Sequence, residues 1–439
     1  QLGLAYMKTG ESRKAFKELE RAASLDPQNT DALIKTAEIY LLGKNFKESR
    51  ERISKILAVD NDFPDAYALL AYIELSENDI DAAEKAIGRA LELNPEESRY
   101  YIIHAQVLTA ANRIDEAENA LKKAVEINPE ANNLNKLAAF YMRQKNDSAA
   151  EQILQRSLAE NPEKPEAYLD LARFYMNAGQ QAEAEQNILA AIAKNPESAE
   201  LHIFLANFYS KTRSFEKAEK AYKEAIAKSK KPDDIKAMLA DFYYKTGKYE
   251  LASQVVDAVL ADDAQHAVAS LVKAKLYIRD QKNTRALAIL DRLVKDAPRW
   301  AEAYYLKGLA QLEKGEIQQS LNSVNEALKI RPGNPDALTL LAQHLFLKRD
   351  FEAAKNNSIK ALQQTPGNFR AGMILAKSQL YLGETESGVK ILEEMKSYAP
   401  ENIEILYNIS LAYLAQGNIP KATDSLEKIL DLSPDFSPA

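Results

Sequence analysis

The segment Leu171-Ala172-Arg173-Phe174-Tyr175 recurs 34 residues later as Leu205-Ala206-Asn207-Phe208-Tyr209, and again as Leu239-Ala240-Asp241-Phe242-Tyr243. The same interval, followed in both directions, finds one small residue in each of thirteen repeats, and only the step from Ala105 to Ala138 is 33 residues. These residues are Gly3, Ala37, Ala71, Ala105, Ala138, Ala172, Ala206, Ala240, Ala274, Gly308, Ala342, Ala376 and Ser410. A fixed period of this length indicates an array of one repeated unit.

Three further positions keep the same period. A second small residue follows twelve residues after the first, at Ala15, Ser49, Ala83, Ala117, Ala150, Ala184, Ala218, Ala252, Ala286, Ser320, Ala354, Gly388 and Ala422. Proline occurs at Pro27, Pro95, Pro129, Pro162, Pro196, Pro298, Pro332, Pro366, Pro400 and Pro434, and is replaced by Asn61, Lys230 and Ala264. Residues that tolerate a left-handed backbone occur at Gly10, Asn78, Asn112, Gly179, Gly247, Gly315, Gly383 and Gly417.

The apolar residues within each repeat follow helical spacing. Tyr168, Leu171, Ala172 and Tyr175 fall at i, i+3, i+4 and i+7, which is one face of a helix. The Gly/Asn position ends this first helix, and proline ends a second one because it lacks an N–H and disfavours helix at the preceding residue. The two small positions predict close contact between helix backbones, since a leucine there would overpack the crossing at a cost of roughly 1–3 kcal/mol.

This pattern resembles the tetratricopeptide repeat, and in particular long arrays of bacterial type, over the whole chain. The resemblance implies an all-α fold, an α-solenoid in which antiparallel helix pairs form a right-handed superhelix with the first helices lining its inner surface. At the first aromatic position of the family's repeat pattern, this chain usually carries a residue other than tryptophan. The repeats at Asn61, Lys230 and Ala264 lack the terminal proline, so we expect a different turn there, and also near Asn132 at the 33-residue step.

We expect residues 1–439 to form a single array of about thirteen repeats, the first of them truncated. The last helix keeps an apolar stripe with no polar capping helix after it, although solenoids usually have one. Either the chain is a fragment of a longer protein, or another molecule covers the ends, as in a dimer or a head-to-tail assembly. The lack of cysteine favours the periplasm, the cell envelope or the extracellular space over the cytoplasm.

Composition argues against several classes of function. The 439 residues include 57 Lys+Arg, 64 Asp+Glu, four histidines and no cysteine, giving a net charge of −7. The histidines occupy four different repeat positions, and no phosphate-binding glycine motif or nucleophile motif occurs. We therefore predict no catalytic residue, no metal and no cofactor. No apolar run is long enough to span a membrane, and no basic surface for nucleic acid is predicted.

The resemblance implies that ligand contacts come from first-helix positions one and four residues after the small residue, and three and six before it. In the C-terminal repeats these positions are largely apolar, as is typical of an exposed binding surface. They are Tyr305, Leu309, Leu312, Phe346, Met373, Leu380, Tyr407, Leu411 and Leu414, with Leu347 and Tyr381 one residue further. The alternative is that a tight superhelix buries them against neighbouring first helices.

In the middle repeats the same positions are polar and include Arg173. Five residues after the small position, successive repeats carry Arg143, Asn177, Lys211, Lys245 and Arg279, which we call the basic strip. This strip could receive an acidic peptide, a terminal carboxylate or an anionic polysaccharide. Alternatively, these cations only stabilise the C-terminal ends of the first helices.

A row of tyrosines lies three residues after the small position, at Tyr6, Tyr40, Tyr141, Tyr175, Tyr209, Tyr243, Tyr277 and Tyr413. Aromatic residues at helical spacing usually pack in the core, so we predict packing between helices in preference to a stacking surface for sugars or bases. The carboxylate clamp of chaperone-binding arrays is not matched, since Ile203 and Asp241 accompany Asn207. The asparagine row of sugar-transferase arrays is also missing.

We therefore expect a non-enzymatic protein–protein interaction scaffold that binds peptide segments or partner proteins in its concave groove. One alternative is a structural scaffold of the cell envelope, for instance in exopolysaccharide export, or a self-assembling head-to-tail array. Another is a targeting arm for a catalytic domain outside this sequence.

Overall fold

A computed structural model describes residues 2–9 and 11–437, and this part of the chain forms 26 α-helices and no strand. The helices are α1 (Leu2–Lys8), α2 (Ser12–Leu25), α3 (Thr30–Leu42), α4 (Phe46–Val59), α5 (Pro64–Ser76), α6 (Ile80–Leu93), α7 (Ser98–Ala110), α8 (Ile114–Ile127), α9 (Ala131–Arg143), α10 (Asp147–Glu160), α11 (Pro165–Asn177), α12 (Gln181–Lys194), α13 (Ala199–Lys211), α14 (Phe215–Lys228), α15 (Pro232–Lys245), α16 (Tyr249–Asp262), α17 (Ala267–Arg279), α18 (Asn283–Asp296), α19 (Ala301–Glu313), α20 (Ile317–Ile330), α21 (Pro335–Leu347), α22 (Phe351–Gln364), α23 (Phe369–Tyr381), α24 (Thr385–Tyr398), α25 (Ile403–Ala415) and α26 (Ile419–Leu432).

The helices divide into two compact units, Gln1–Thr212 and Arg213–Ala439. Within each unit the first helix of a repeat packs on its own second helix, and that second helix packs on the first helix of the next repeat. First helices of successive repeats also touch, as α5 touches α7 and α21 touches α23. Each unit is therefore an α-solenoid whose repeats contact their neighbours. The single array over residues 1–439 stays a prediction.

Every residue at the two small positions is buried, as predicted. At Gly308, even an added Cβ would lie 3.0 Å from Val324 Cγ2 and 3.2 Å from the Ser320 carbonyl oxygen. Where serine occupies the second small position, its hydroxyl bonds the facing helix, and Ser49 Oγ, for example, donates to the Ala37 carbonyl oxygen at 2.9 Å. These positions hold the two helices of a repeat at backbone contact.

Ser320 also determines which ring nitrogen of the buried His344 carries the proton. Its hydroxyl donates to the Gly308 carbonyl oxygen at 2.6 Å, so its oxygen accepts the hydrogen bond from His344 Nε2 at 2.7 Å. His344 Nδ1 is buried without a hydrogen-bond partner. Burial, together with nearby Lys348, lowers the pKa of His344. The imidazole is therefore neutral and is part of the packing between α20 and α21.

The tyrosine row packs between helices, as predicted. Most of its rings are buried, and their hydroxyls bond a glutamate on the second helix of the preceding repeat. Tyr141 donates to Glu118 at 2.8 Å, and Tyr175 donates to Glu151 at 2.7 Å. In the second unit Tyr243 bonds Glu219, and burial raises the pKa of Tyr243 to about 12. Each such pair joins two neighbouring repeats.

The turns around the missing prolines follow the prediction at only one of three places. At Lys230 the helix before the turn ends in a different geometry, with Ser229 at φ −86°, ψ 136°, and α15 is a residue longer. At Asn61 and Ala264 the prediction is wrong. Asp60 (−139°, 102°) and Asp263 (−134°, 93°) match Asp26 (−132°, 93°), which precedes Pro27. Proline stabilises this turn, but the turn does not require it.

In the twelve repeats whose turn between the two helices is fully described, that turn contains one residue with positive φ. Five are glycines and two are asparagines, as predicted, and Gly10 lies outside the described residues. The sequence did not predict the other five, which are Lys44, Lys145, Arg213, Gln281 and Arg349. The backbone bonds of the turn impose this conformation. After Lys145, for example, the Asn146 N–H donates to the Tyr141 carbonyl oxygen at 2.9 Å, which closes the helix end.

Glycine should therefore stabilise the turns that now carry a long side chain. Lys145 has φ 56° and is exposed, so we expect Lys145→Gly to raise the free energy of unfolding by about 1 kcal/mol. Gly179→Ala, at the equivalent turn with φ 76°, should lower it by a similar amount. Urea denaturation of both variants tests this, and a loss of stability in Lys145→Gly would contradict the account.

Glu219 stabilises the second unit at neutral pH, and this stabilisation is lost at acid pH. Hydrogen bonds from Lys223 and Lys248, each 2.8 Å long, lower the pKa of Glu219 from 4.5 to about 2. Because the folded pKa lies below the unfolded one, the carboxylate stabilises the fold above about pH 4.5, and this contribution is lost as pH falls towards 2. We expect Glu219→Gln to be less stable than the parent at neutral pH, with a difference that vanishes near pH 2.

Denaturation midpoints measured between pH 2 and 7 for Glu219→Gln and for Glu224→Gln provide the comparison. Glu224 is an exposed glutamate on the same helix, α14, and its variant should follow the parent. A stability difference for Glu219→Gln that stays constant across this range contradicts the assignment.

Candidate functional site

A groove in the first unit lies along its first helices. It has a volume of about 970 Å³ and is lined from α3, α5, α7 and α9. Leu41, Leu69 and Ile102 form apolar parts of its surface. Its polar lining includes Glu38, Asp65, Arg99, Gln106, Asn132 and Lys136. We call it the α3–α9 groove.

Charged pairs fix part of this lining. The Arg99 guanidinium pairs with the Asp65 carboxylate, and the Tyr100 hydroxyl donates to the same carboxylate. Burial and this hydrogen bond raise the pKa of Tyr100, so the phenol stays protonated. Lys35 pairs with Glu38 at 2.8 Å. The Arg99–Asp65 pair joins the neighbouring first helices α5 and α7, whereas the Lys35–Glu38 pair lies within α3.

The 33-residue step changes the geometry where α8 meets α9, as the sequence predicted near Asn132. Only three residues separate α8 from α9, whereas four separate α6 from α7. Asn133 takes a buried position at which most other repeats carry alanine or another apolar residue, and it is 4 % exposed. Its amide Nδ2 donates to the carbonyl oxygens of Asn128 at 2.9 Å and Ala124 at 3.3 Å. This side chain therefore hydrogen-bonds carbonyl groups at the C-terminal end of α8, where the turn is one residue shorter.

A smaller groove of about 330 Å³ lies against the same helix, and we call it the α7–α9 groove. It shares Ile102, Gln106, Asn132 and Lys136 with the α3–α9 groove, so the two are continuous. Its other lining residues are Ala105, Thr109, Leu121, Asn135, Ala139, Phe140 and Arg143. This lining contains two cations and no carboxylate.

The apolar residues predicted in the C-terminal repeats differ widely in exposure. Tyr381 is 67 % exposed, and Leu347, Leu411 and Leu414 are also exposed. Half-buried side chains occur at Tyr305, Leu309, Leu312, Phe346, Leu380 and Tyr407. Met373 is only 4 % exposed and packs with Ile405 and Ile409. Its side chain therefore belongs to the core and not to an exposed surface, because α25 covers it.

Three aromatic rings meet at the turn of α21 and α22. Tyr381 stacks on Phe351 with ring centroids 4.6 Å apart and planes 10° apart, and it meets Phe346 edge-on at 5.6 Å. The exposed ring of Tyr381 is thus held on a rigid aromatic base. Sequence analysis named Phe346 and Tyr381 but not Phe351, which begins a second helix.

A buried lysine joins three first helices in the second unit. Lys275 is 8 % exposed and pairs with Asp241 at 2.8 Å and with Glu302 at 2.7 Å. Burial alone would lower the pKa of Lys275, but these two carboxylates raise it above its usual value. Sequence analysis missed Lys275, although opposite charges at the same position of successive repeats, Asp241 and Lys275, were a readable signal.

Two of the four cations of the basic strip, Lys245 and Arg279, already have partners. Lys245 pairs with Asp241 at 2.6 Å, and the guanidinium of Arg279 bonds Asp280 at 2.9 Å and covers the Tyr249 ring at 4.1 Å. Lys211 is exposed. Arg143 lies in the α7–α9 groove.

Arg173, predicted from a neighbouring position, is also paired. It bonds Asp170 at 2.8 Å and lies over the Phe204 ring at 5.2 Å. Local pairs therefore interrupt the strip at Lys245 and Arg279, so that it is not a continuous open row of charge.

The part of the chain that the structure describes contains neither a candidate metal-ligand cluster nor a candidate membrane-spanning helix. Over residues 2–9 and 11–437, no three histidine, aspartate or glutamate side chains converge in a way that could hold a metal ion. No helix in this same part is both long and apolar enough to cross a bilayer.

Comparisons with known proteins agree with the repeat structure. Three family models, each described as a tetratricopeptide repeat, together match most of the chain: 6–73, 141–208 and 211–276 for the first, 68–132, 271–335 and 305–368 for the second, and 403–436 for the third. No curated protein matches the sequence.

Solved structures align with this chain at low identity. The APC/C heterotetramer Cut9–Hcn1 aligns with a TM-score of 0.52 and 13% identity, over 99% of this chain and 93% of that one. Yeast Tom70 aligns with a TM-score of 0.45 and 16% identity, over 92% and 98%. YrrB, a protein of the same repeat type with an unusual peptide-binding site, aligns with a TM-score of 0.35 and 20% identity, over 41% and 93%. From the matching family models and the thirteenfold period, the chain belongs to the tetratricopeptide repeat family.

Proposed function

We propose that this protein is a non-enzymatic scaffold that holds extended segments of partner proteins in the α3–α9 groove. Membership of the tetratricopeptide repeat family supports a role as a protein-interaction scaffold, and this fold is typically non-enzymatic. The single observation that carries the choice of site is the groove of about 970 Å³ built from four successive first helices.

The chemistry of the α3–α9 groove suits a peptide. Its volume lies in the range of small-molecule and peptide sites, and its apolar side chains can bury side chains of a bound segment. Gln106 and Asn132 carry amides that both donate and accept hydrogen bonds, as an extended backbone requires. Tyr72 is 40 % exposed and lines the same groove, which makes it a candidate anchor.

In the second unit, the residues named from the sequence are proposed as a further contact surface for partners. Its exposed members, Tyr381, Leu411 and Leu414, are large apolar side chains on first helices. Tyr305, Phe346 and Tyr407 are half-buried beside them and supply less free surface.

The cell-envelope alternative depends on the basic strip, which would bind an anionic polysaccharide. Lys245 and Arg279 already pair with Asp241 and Asp280, so an anionic polymer would have to compete with existing ion pairs. This pairing favours the peptide scaffold. Self-association is a further alternative, and light scattering of the purified chain tests it.

Removal of the exposed aromatic ring in the α3–α9 groove should weaken binding of peptides. A random phage-displayed peptide library is selected on the full chain, and the affinity of the best synthetic peptide is measured by isothermal titration calorimetry. We expect Tyr72→Ala to raise its Kd by about tenfold or more, as for an aromatic anchor at an interface.

Leu189→Ala is the matched control, because Leu189 is 46 % exposed but lies on α12, a second helix. Tyr381→Ala tests the second unit in the same titration. A loss with Tyr381→Ala but not with Tyr72→Ala contradicts the choice of the α3–α9 groove. Failure to select any peptide contradicts the peptide scaffold itself.

A further inference from the structure

The helix at the 33-residue step carries polar side chains along the side that lines the α7–α9 groove. Asn132, Asn135, Lys136, Ala139 and Arg143 are spaced along α9 so that they share one side of the helix, and all of them line the α7–α9 groove. Three residues before the small position, where α9 has Asn135, the other repeats of this unit carry Ile34, Ala68, Ile102, Leu169 and Ile203. Within the first unit, a polar residue at this position is therefore particular to α9.

The charge of this face is not balanced locally. Neither Lys136 nor Arg143 forms an ion pair with any residue in the described part of the chain, and no carboxylate lines the α7–α9 groove. Asp170 on α11 already accepts a hydrogen bond from Asn135 Nδ2 at 2.5 Å and pairs with Arg173 at 2.8 Å. In a chain of net charge −7, two open cations in one groove indicate an anionic ligand.

We propose that the α7–α9 groove selects an acidic segment of a partner protein, with two Asp or Glu side chains of that segment paired to Lys136 and Arg143. This inference rests on the proposed scaffold function and specifies its ligand chemistry. The two cations are seven residues apart on α9, which places their Cα atoms roughly 10 Å apart along the helix. An extended chain covers that distance in about three residues. Two internal carboxylates therefore match the pair better than the single carboxylate of a chain terminus.

The rest of the groove suits the backbone and apolar side chains of such a segment. The amides of Gln106 and Asn132 face the groove, and Asn135 Oδ1 has no hydrogen-bond partner. Ile102 and Phe140 supply apolar surface between the polar groups. Because the α7–α9 and α3–α9 grooves are continuous, the same segment can continue past Lys136 towards Tyr72.

The test uses the full chain on an array of acetylated and amidated twelve-residue peptides, each acidic sequence paired with its Gln/Asn counterpart. We expect enrichment of peptides with two acidic residues separated by two to four positions. For the best peptide, measured by fluorescence anisotropy, both the Gln counterpart and the variant Lys136→Gln/Arg143→Gln should raise Kd by about tenfold or more. The double variant should bind the acidic peptide and its Gln counterpart equally well. Added NaCl should weaken only the parent's preference for the acidic peptide.

Lys122→Gln/Arg156→Gln is the matched control, since it makes the same charge change on the second helices α8 and α10. Retention of the acidic preference by Lys136→Gln/Arg143→Gln overturns the proposal. So does equal binding of a non-acidic peptide with a free C-terminal carboxylate, which would assign the site to chain termini. Peptides that lack an acidic preference yet depend on Tyr72 overturn this inference alone, whereas an array with no binding peptide contradicts the proposed function.

Discussion

Close contact between two helix backbones, made at two small residues in every repeat, is the constraint on which the rest of this structure depends. All of these positions are buried, and at Gly308 a single added carbon would already crowd Val324 and Ser320. Within each unit, the buried side chains that the structure describes form several separate clusters along the array. Each repeat is stabilised by its own pair of helices and by the repeat beside it, so stability is a sum of local terms.

The same local construction explains the candidate binding sites. Because every repeat presents equivalent first-helix positions, a change of residue type at one position alters the groove without disturbing the helix crossings. At α9 the deletion of one residue is compensated by Asn133, and the groove-facing side then carries polar side chains such as Asn135 and Lys136. In the second unit the equivalent positions bind each other through Lys275, so the same scaffold yields a different surface there.

Sequence alone predicted the repeat, the helix pairs, the buried small positions and the tyrosine row, because each follows from a period that many copies share. It did not predict the left-handed turns at Lys44 or Arg349, since backbone hydrogen bonding imposes that conformation whatever the side chain. It also did not predict the α3–α9 groove, because the prediction relied on apolar residues as the sign of a binding surface and this groove is lined by both apolar and polar residues. The burial of Met373 and the pairing of Lys245 depend on contacts with side chains of other residues. The residue type at one position does not predict such contacts.

Amide hydrogen exchange on Ala172→Leu, followed by mass spectrometry, tests the central claim most directly. Ala172 is fully buried at the contact of α11 with α12, so a leucine must push these helices apart. The account predicts loss of protection in α11 and α12, a smaller loss in α10 and α13, and none in α3 to α6. Uniform loss across the first unit, or no loss in α11 and α12, would contradict a structure held together by contacts between neighbouring repeats.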